Sequence, residues 1–200
     1  VEQRKLANTA VLFTNAKNLG FPTATFDIAL CGFMGWNDCF DFIHNEFTQP
    51  DTKAPEIFRV LRNGGKFVGC SWEAQEDLAW MEEAILRHHP DILTDDEYLE
   101  QRPIGMAYEK PAGYAIILRE AGFRSIEVSR EAVECVSTDE EEWWQQMSNV
   151  GWDTLIEKVE RKDAGQLIRI KEAIFKELQP FKHLDGIHFT KRVFFVRGVK

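Results

Sequence analysis

Three short stretches carry the side chains that could do chemistry: "TNAKNLGF" (14–21), "CGFMGWND" (31–38) and "SWEA" (71–74). In the first, the Asn15 amide offers a donor and an acceptor side by side, the pattern that reads the edge of a flat heterocyclic base. Phe33, Met34, Trp36 and Trp72 add aromatic and thioether surface suited to the faces of a flat organic ligand. The alternative is that these rings fill the rim of a core. Asp38, Asp41 and Glu46 could do acid–base work or sit in a solvated loop.

Other chemistries lack their motifs. Neither G-x-G-x-x-G nor G-x-x-x-x-G-K-[ST] occurs, so no phosphate-cradling glycine loop is present. Ser71 follows a strand but stands outside a G-x-S-x-G elbow. The five histidines (44, 88, 89, 183 and 188) form no HExxH, so metal ligation is unsupported. His88 and His89 read as the end of a helix, where positive charge meets the carbonyl dipole.

Composition narrows the class further. A net charge of −9 with scattered Lys and Arg excludes a nucleic-acid surface. The 15 Phe and 6 Trp of the 200 residues require a folded core. Cys31, Cys39, Cys70 and Cys135 form no Cys-x-x-Cys pair and read as buried reduced thiols of a cytosolic protein. No apolar run approaches the roughly 18 residues of a membrane span, and no secretory leader is read. The chain opens on Val1 inside a helix-like phrase (Glu2 to Leu6), which is read as a piece whose natural start lies upstream.

The elements that must position these residues follow from periodicity. Strands are expected at 9–13 ("TAVLF"), 26–31 ("FDIALC") and 66–72 ("KFVGCSW"). The continuous apolar character of the last two suits a parallel sheet covered on both faces. Ala54, Ile57, Phe58 and Leu61 share a helical face, and Gly64-Gly65 supplies a left-handed stop. Strand, helix and strand at this spacing form a βαβ unit. Leu78, Met81 and Ile85 mark the next helix, and Thr94 with Glu97 makes a capping box for a short one. A helix starts at Pro111 with Tyr114, Ile117, Leu118 and Ala121 inward, and closes at "AGF".

Residues 125–136 alternate like a sheet-edge strand. Ser137 and Glu140 give a second capping box, opening a helix whose Trp143, Met147 and Val150 share one face with Trp144 adjacent. That face reads first as core and second as a lid over an apolar pocket. A further helix carries Leu167, Ile170, Ile174 and Leu178, and 187–198 is the last strand. The fold class is therefore α/β: a Rossmann-like, doubly wound, mostly parallel sheet with an antiparallel last strand. It forms one domain over 1–200 with a helical insert at about 137–182.

Taken together, "NAKNLGFPTATFDIALCGFMGW" (15–36), "PEIFRVLRNGGKFVGCSW" (55–72), "LREAGFRSIEV" (118–128) and "RVFFVRG" (192–198) resemble the class I S-adenosylmethionine (SAM)-dependent methyltransferases. They are nearest the small-molecule type of ubiquinone and menaquinone biosynthesis. The resemblance implies SAM as cofactor, with Asn15 where the family usually has an acid that contacts the adenine amino group and Ala16 beside it. It places Leu30, Cys31, Gly32 and Phe33 where the fourth family strand flanks the cofactor. Trp36 and Trp72 would face the methyl acceptor, and Trp144 would join them as part of a lid. A base, where one is needed, would be His44 or Asp38, and no catalytic residue is otherwise assigned.

The family's glycine-rich first strand and acid-bearing second strand have no counterpart here, and its sheet order is 3-2-1-4-5-7-6. The expectation is thus a chain without those two strands, binding SAM poorly as it stands and exposing an apolar sheet edge. The implied activity of the intact protein is methyl transfer to a small molecule. The rival is a methyltransferase-like module without cofactor binding that serves assembly, and a nicotinamide oxidoreductase ranks last for want of a motif. Expected partners are a small-molecule acceptor and, through the open edge, a second copy, with no nucleic acid and no membrane.

Overall fold

A computed structural model describes residues 8–33, 35, 40, 41, 46–48, 50–90, 111–150, 153–162 and 164–200. The expected helix at 2–6, the Thr94–Glu97 capping box, and Met34, Trp36, Asp38, Cys39 and His44 lie outside the described residues.

In chain order the elements are β1 (Phe26–Gly32), β2 (Phe40–Asp41), β3 (Glu46–Phe47), α1 (Lys53–Val60), β4 (Leu61–Gln75), α2 (Glu76–His88), α3 (Pro111–Glu120) and β5 (Arg124–Ser137). Then come α4 (Glu140–Val150), α5 (Asp153–Lys162), α6 (Ala164–Glu177), a 3-10 turn (Gln179–Phe181), β6 (Lys182–His183) and β7 (Gly186–Val199). The main sheet has the order β1-β4-β7-β5, with β6 paired to β7, while β2 and β3 make a separate two-residue ladder.

β1 and β4 are parallel, with Ala29 opposite Phe67, Cys31 opposite Gly69 and Gly32 opposite Cys70. β7 runs against both its neighbours: position 69 lies beside Val196 and Trp72 beside Lys191 on one side. Glu127 bonds Arg197, and position 186 abuts Ser137, on the other. The mixed α/β sheet with an antiparallel final strand is thus as the sequence implies.

The strand expected at 9–13 is absent. The segment has no ladder partner, and Val11, Leu12 and Phe13 are exposed. A strand without a neighbour leaves its N–H and C=O groups unpaired, so apolar β-formers alone do not make one. β1 is the edge of the sheet among the described residues. Its face is not covered as its apolar run suggested: Ile28 and Leu30 are 57% and 75% exposed.

Helix α1 also differs from expectation, ending at Val60 rather than at the glycine pair. The reason is a non-local cap. Lys200 Nζ donates to the carbonyls of Phe58 (2.7 Å) and Leu61 (2.8 Å) and lies 3.3 Å from that of Arg59. The Arg59 and Val60 carbonyls accept the N–H groups of Ala24 (3.1 Å) and Thr25 (2.8 Å). Every carbonyl that a helix end leaves open is thereby satisfied. At the other end Asp51, one residue before the N-cap, accepts from the N–H groups of Lys53 and Ala54 at 3.1 and 2.7 Å. Gly64, at φ +78°, instead turns the chain inside the first part of β4, where its N–H donates to the Lys200 carbonyl.

The described residues fall into two compact units. The first draws on 1–70, 111–128 and 195–200; there α1 and α3 bury Ile57, Val60, Ile117 and Leu118, and Phe123 packs edge-on to Phe58 at 5.0 Å. α3 closes as "AGF" foretold, with Gly122 at φ +101° and the Phe123 N–H on the Leu118 carbonyl.

The second unit draws on 71–110 and 129–194 and holds α2, α4, α5 and α6 around Met81, Ile85, Trp143, Met147 and Ile174. Three helices and the 3-10 turn fill most of 137–182. The cap of α4 is Asp139 rather than Ser137. Its carboxylate accepts the Glu142 N–H (2.8 Å), while Glu142 reaches back to the Thr138 N–H (2.6 Å). Ser137 is instead buried, with its hydroxyl donating to Gln146. No described helix is long and apolar enough to cross a membrane.

Replacing Lys200 with Met should remove the ammonium that caps α1. The expected loss is about 1–2 kcal/mol of unfolding free energy, read from urea denaturation; an unchanged midpoint would show that solvent caps the helix equally well.

Candidate functional site

The parallel β1–β4 pair sets where a ligand can sit, since open α/β sheets bind beyond the carboxyl ends of their strands. β1 ends at Gly32, and the next residue, Phe33, adopts φ +53°. A bulky residue in the left-handed region is uncommon and costs on the order of 1–3 kcal/mol. It is held there by its N–H, which donates to the Cys70 carbonyl at 2.8 Å. The ring of Phe33 is half exposed, and Leu30 is exposed on the same strand. Between them, a Cβ on Gly32 would meet only Cys70 Sγ, at 3.9 Å. Cys31 is half-buried, and burial, reinforced by Cys70, pushes its thiol pKa up, so it stands as a protonated thiol.

Asn15 opens a compact turn. Its carbonyl accepts the Asn18 N–H (2.9 Å) and its side-chain Oδ1 the Lys17 N–H (2.9 Å), an Asx turn. Oδ1 keeps a second lone pair, and Nδ2 keeps its donors alongside. Ala16, within the turn, is half-buried.

This turn is tied to α1 by a pair of residues that pattern reading did not single out. Glu56 Oε1 accepts the Leu19 N–H at 2.9 Å and pairs with Arg59 at 2.7 Å. Arg59 also donates to the Phe21 carbonyl (2.8 Å) and to Thr23 Oγ1 (3.2 Å). The Arg59 hydrogen bond, helped by the Leu19 N–H, lowers the Glu56 pKa to about 2. The only signal in the sequence was the i, i+3 spacing of the pair; its backbone partners lie some 37 residues away.

The remaining expected residues fall elsewhere. Trp72 belongs to the second unit, its ring 5.7 Å from Lys191 Nζ, which in turn pairs with the buried carboxylate of Asp77 at 2.7 Å. Trp144 is 7% exposed and packs in that unit's core, edge-on to Phe175. His88 ends α2 and contacts Glu177 at 2.6 Å. Among the described residues no His, Cys, Asp and Glu group is arranged to hold a metal ion. A cleft of about 250 Å³ opens in the first unit beside Pro50, Asp51, Pro55 and Glu120. It lies at the start of α1, not at the strand ends.

No protein-family model matches the chain. A stretch of 137 residues, 64% of the chain, is 28% identical to the demethylmenaquinone methyltransferase of Geobacillus sp. (strain WCH70) and covers 54% of that enzyme. The chain thus spans about half the length of the curated relative it matches. Among solved structures, a protein assigned as a methyltransferase from Bacillus halodurans C-125 superposes with a TM-score of 0.52 at 15% identity, covering 100% of this chain and 74% of that one. The YcgJ protein of Bacillus subtilis gives 0.53 at 14% identity with the same coverage. The mixed α/β fold is like that of these two solved structures, in line with the architecture implied by the resemblance read from the sequence.

The Glu56 pair carries a pH signature. Its folded pKa lies below the ordinary 4.5, so its stabilisation is complete above pH 4.5 and is lost as pH falls toward about 2. The stability difference between wild type and Glu56→Gln should therefore be constant above pH 5 and shrink below 4.5. Urea melts across that range check it, and a pH-independent difference would contradict it.

Proposed function

We propose that the protein containing this chain transfers a methyl group from SAM to a small-molecule acceptor. The observation that carries the reading is the junction at Gly32–Phe33, where a strained left-handed residue leaves a half-exposed ring at the carboxyl end of β1. Strain of this kind concentrates at functional sites. The 28% identity over 137 residues to a demethylmenaquinone methyltransferase supports the same reading.

The donor set fits the cofactor. An adenosyl group without phosphates asks for an amide to read its base edge and apolar surface for its faces, not for basic side chains. Asn15 and Ala16 would take the edge, with Leu30, Cys31, Gly32 and Phe33 along the face. When bound, the sulfonium supplies an electrophilic methyl group to a nucleophilic oxygen, nitrogen or carbon.

The chain's own part is orientation and exclusion of water, since such displacements depend on alignment at about 3–3.5 Å. Trp72 and Trp36 are the residues that the resemblance proposes for the acceptor, Trp36 lying outside the described residues. The Trp72 ring, 5.7 Å from the Lys191 ammonium, would offer a flat apolar surface to the acceptor. Trp144, the third residue expected to bind the acceptor, is packed in the core of the second unit.

A second reading, an assembly module without cofactor, draws support from the exposed Leu12, Phe13, Ile28 and Leu30. Titration calorimetry of the full-length protein with S-adenosylhomocysteine separates the two. Saturable binding, weakened in Phe33→Gly even though that change relieves the backbone, is the expected result. No heat of binding from the wild type would leave the module reading standing.

A further inference from the structure

We propose that Glu56 and Arg59 are positioning residues, which hold the Asn15 turn in the orientation that distinguishes adenine from other purines. The inference rests on the cofactor reading above and goes beyond it, because the printed bonds of both side chains run to each other and to the loop.

Residues 14–25 have almost no regular structure of their own: an isolated bridge between Asn15 and Asn18 is their one ladder contact. A loop of this kind keeps a side chain in place only if its backbone is fixed from outside. Here the outside is one short helix. The turn is closed internally by the Asn15–Asn18 and Asn15–Lys17 bonds, and the Thr14 hydroxyl reaches the carbonyls of Asn18 (3.2 Å) and Leu19 (3.3 Å). It leaves through Leu19, whose N–H is held by Glu56 at 2.9 Å. Two residues on, the Phe21 carbonyl is held by Arg59 at 2.8 Å, and the Ala24 and Thr25 N–H groups lie on the last carbonyls of α1.

The Glu56–Arg59 pair fixes both ends of this span at once. Arg59 donates through Nε and Nη2 to the two oxygens of Glu56, each at 2.7 Å, so neither side chain can turn without releasing the other. Glu56 is the more buried partner, its side chain 12% exposed against 36% for Arg59.

The consequence falls on Asn15. With Oδ1 bonded to the Lys17 N–H, the amide cannot flip, and it presents Oδ1 and Nδ2 in a fixed order. That order complements the amino donor and ring-nitrogen acceptor of adenine. It is mismatched with hypoxanthine, in which both polarities are reversed. A bidentate amide–adenine pair discriminates by roughly five- to 150-fold, but only while the turn holds its place.

The test measures the affinities of S-adenosylhomocysteine and S-inosylhomocysteine for the full-length protein by calorimetry, in wild type, Asn15→Ala, Glu56→Ala and Arg59→Ala. Wild type should prefer the adenosyl compound by about tenfold or more. Glu56→Ala and Arg59→Ala should lose most of that preference, as Asn15→Ala does, and Asn15→Ala/Glu56→Ala should lose no more than either single change. Equal weakening of both ligands, with the wild-type ratio retained, would overturn the proposal and leave cofactor binding itself intact. A wild type that binds neither compound removes the cofactor reading, and this inference with it. Should Glu56→Ala fail to fold, Glu56→Gln and Arg59→Lys are read by the same ratio, and partial restoration in Arg59→Lys is expected.

Discussion

Two parallel strands cannot be joined by a tight turn, and that constraint organises the first unit of this protein. β1 and β4 lie side by side in register from Ile28–Lys66 to Gly32–Cys70, so the chain must cross from the end of one to the start of the other. Helix α1 makes the return, and at eight residues it is too short to be stable alone. It survives because both ends are capped: by the neighbouring Asp51 at the start, and by the distant Lys200, Ala24 and Thr25 at the finish. The finishing caps lie at the amino ends of β1 and β4, since Ala24 and Thr25 lead into Phe26 and Leu61 opens β4. Glu56 and Arg59 tie the same helix to the loop that carries Asn15. Stability and site geometry share one set of hydrogen bonds.

That sharing gives the candidate site two kinds of support. Phe33 is held by the sheet, through its N–H on the Cys70 carbonyl, and remains in an unfavourable backbone region because the ladder dictates it. Asn15 is held by the helix, through Glu56 and Arg59, with no regular structure of its own. In the proposed site, a flat ligand would have one face set by the strand and one edge set by the tethered turn. Both groups present neutral or apolar surface, which suits an adenosyl cofactor better than a phosphate-rich dinucleotide.

Much of this was legible in the sequence. The runs "FDIALC" and "KFVGCSW" are strands as their apolar continuity implied, and α2, α3 and α6 follow their helical spacing. "TAVLF" looked the same and is not a strand, because residue type encodes a tendency to pair and not the presence of a partner. The end of α1 was misplaced for a related reason: the decisive cap comes from Lys200, 139 residues beyond Leu61. The capping box of α4 was displaced by two residues because Ser137 and Asp139 are both good N-caps, and only burial of the serine decides between them. β2 and β3, two residues each, are too short to carry any periodicity. At the site, Asn15 and Phe33 could be named from their residue types, whereas Glu56 and Arg59 act on backbone groups that only the fold brings near.

The central claim is that an adenosyl ligand is seated by a polar edge at Asn15 and an aromatic face at Phe33. A crystal structure of the full-length protein with S-adenosylhomocysteine tests it most directly. The account requires the adenine edge within hydrogen-bond reach of the Asn15 amide and its plane against the Phe33 ring. A nucleoside found elsewhere, with both side chains left in solvent, would contradict it.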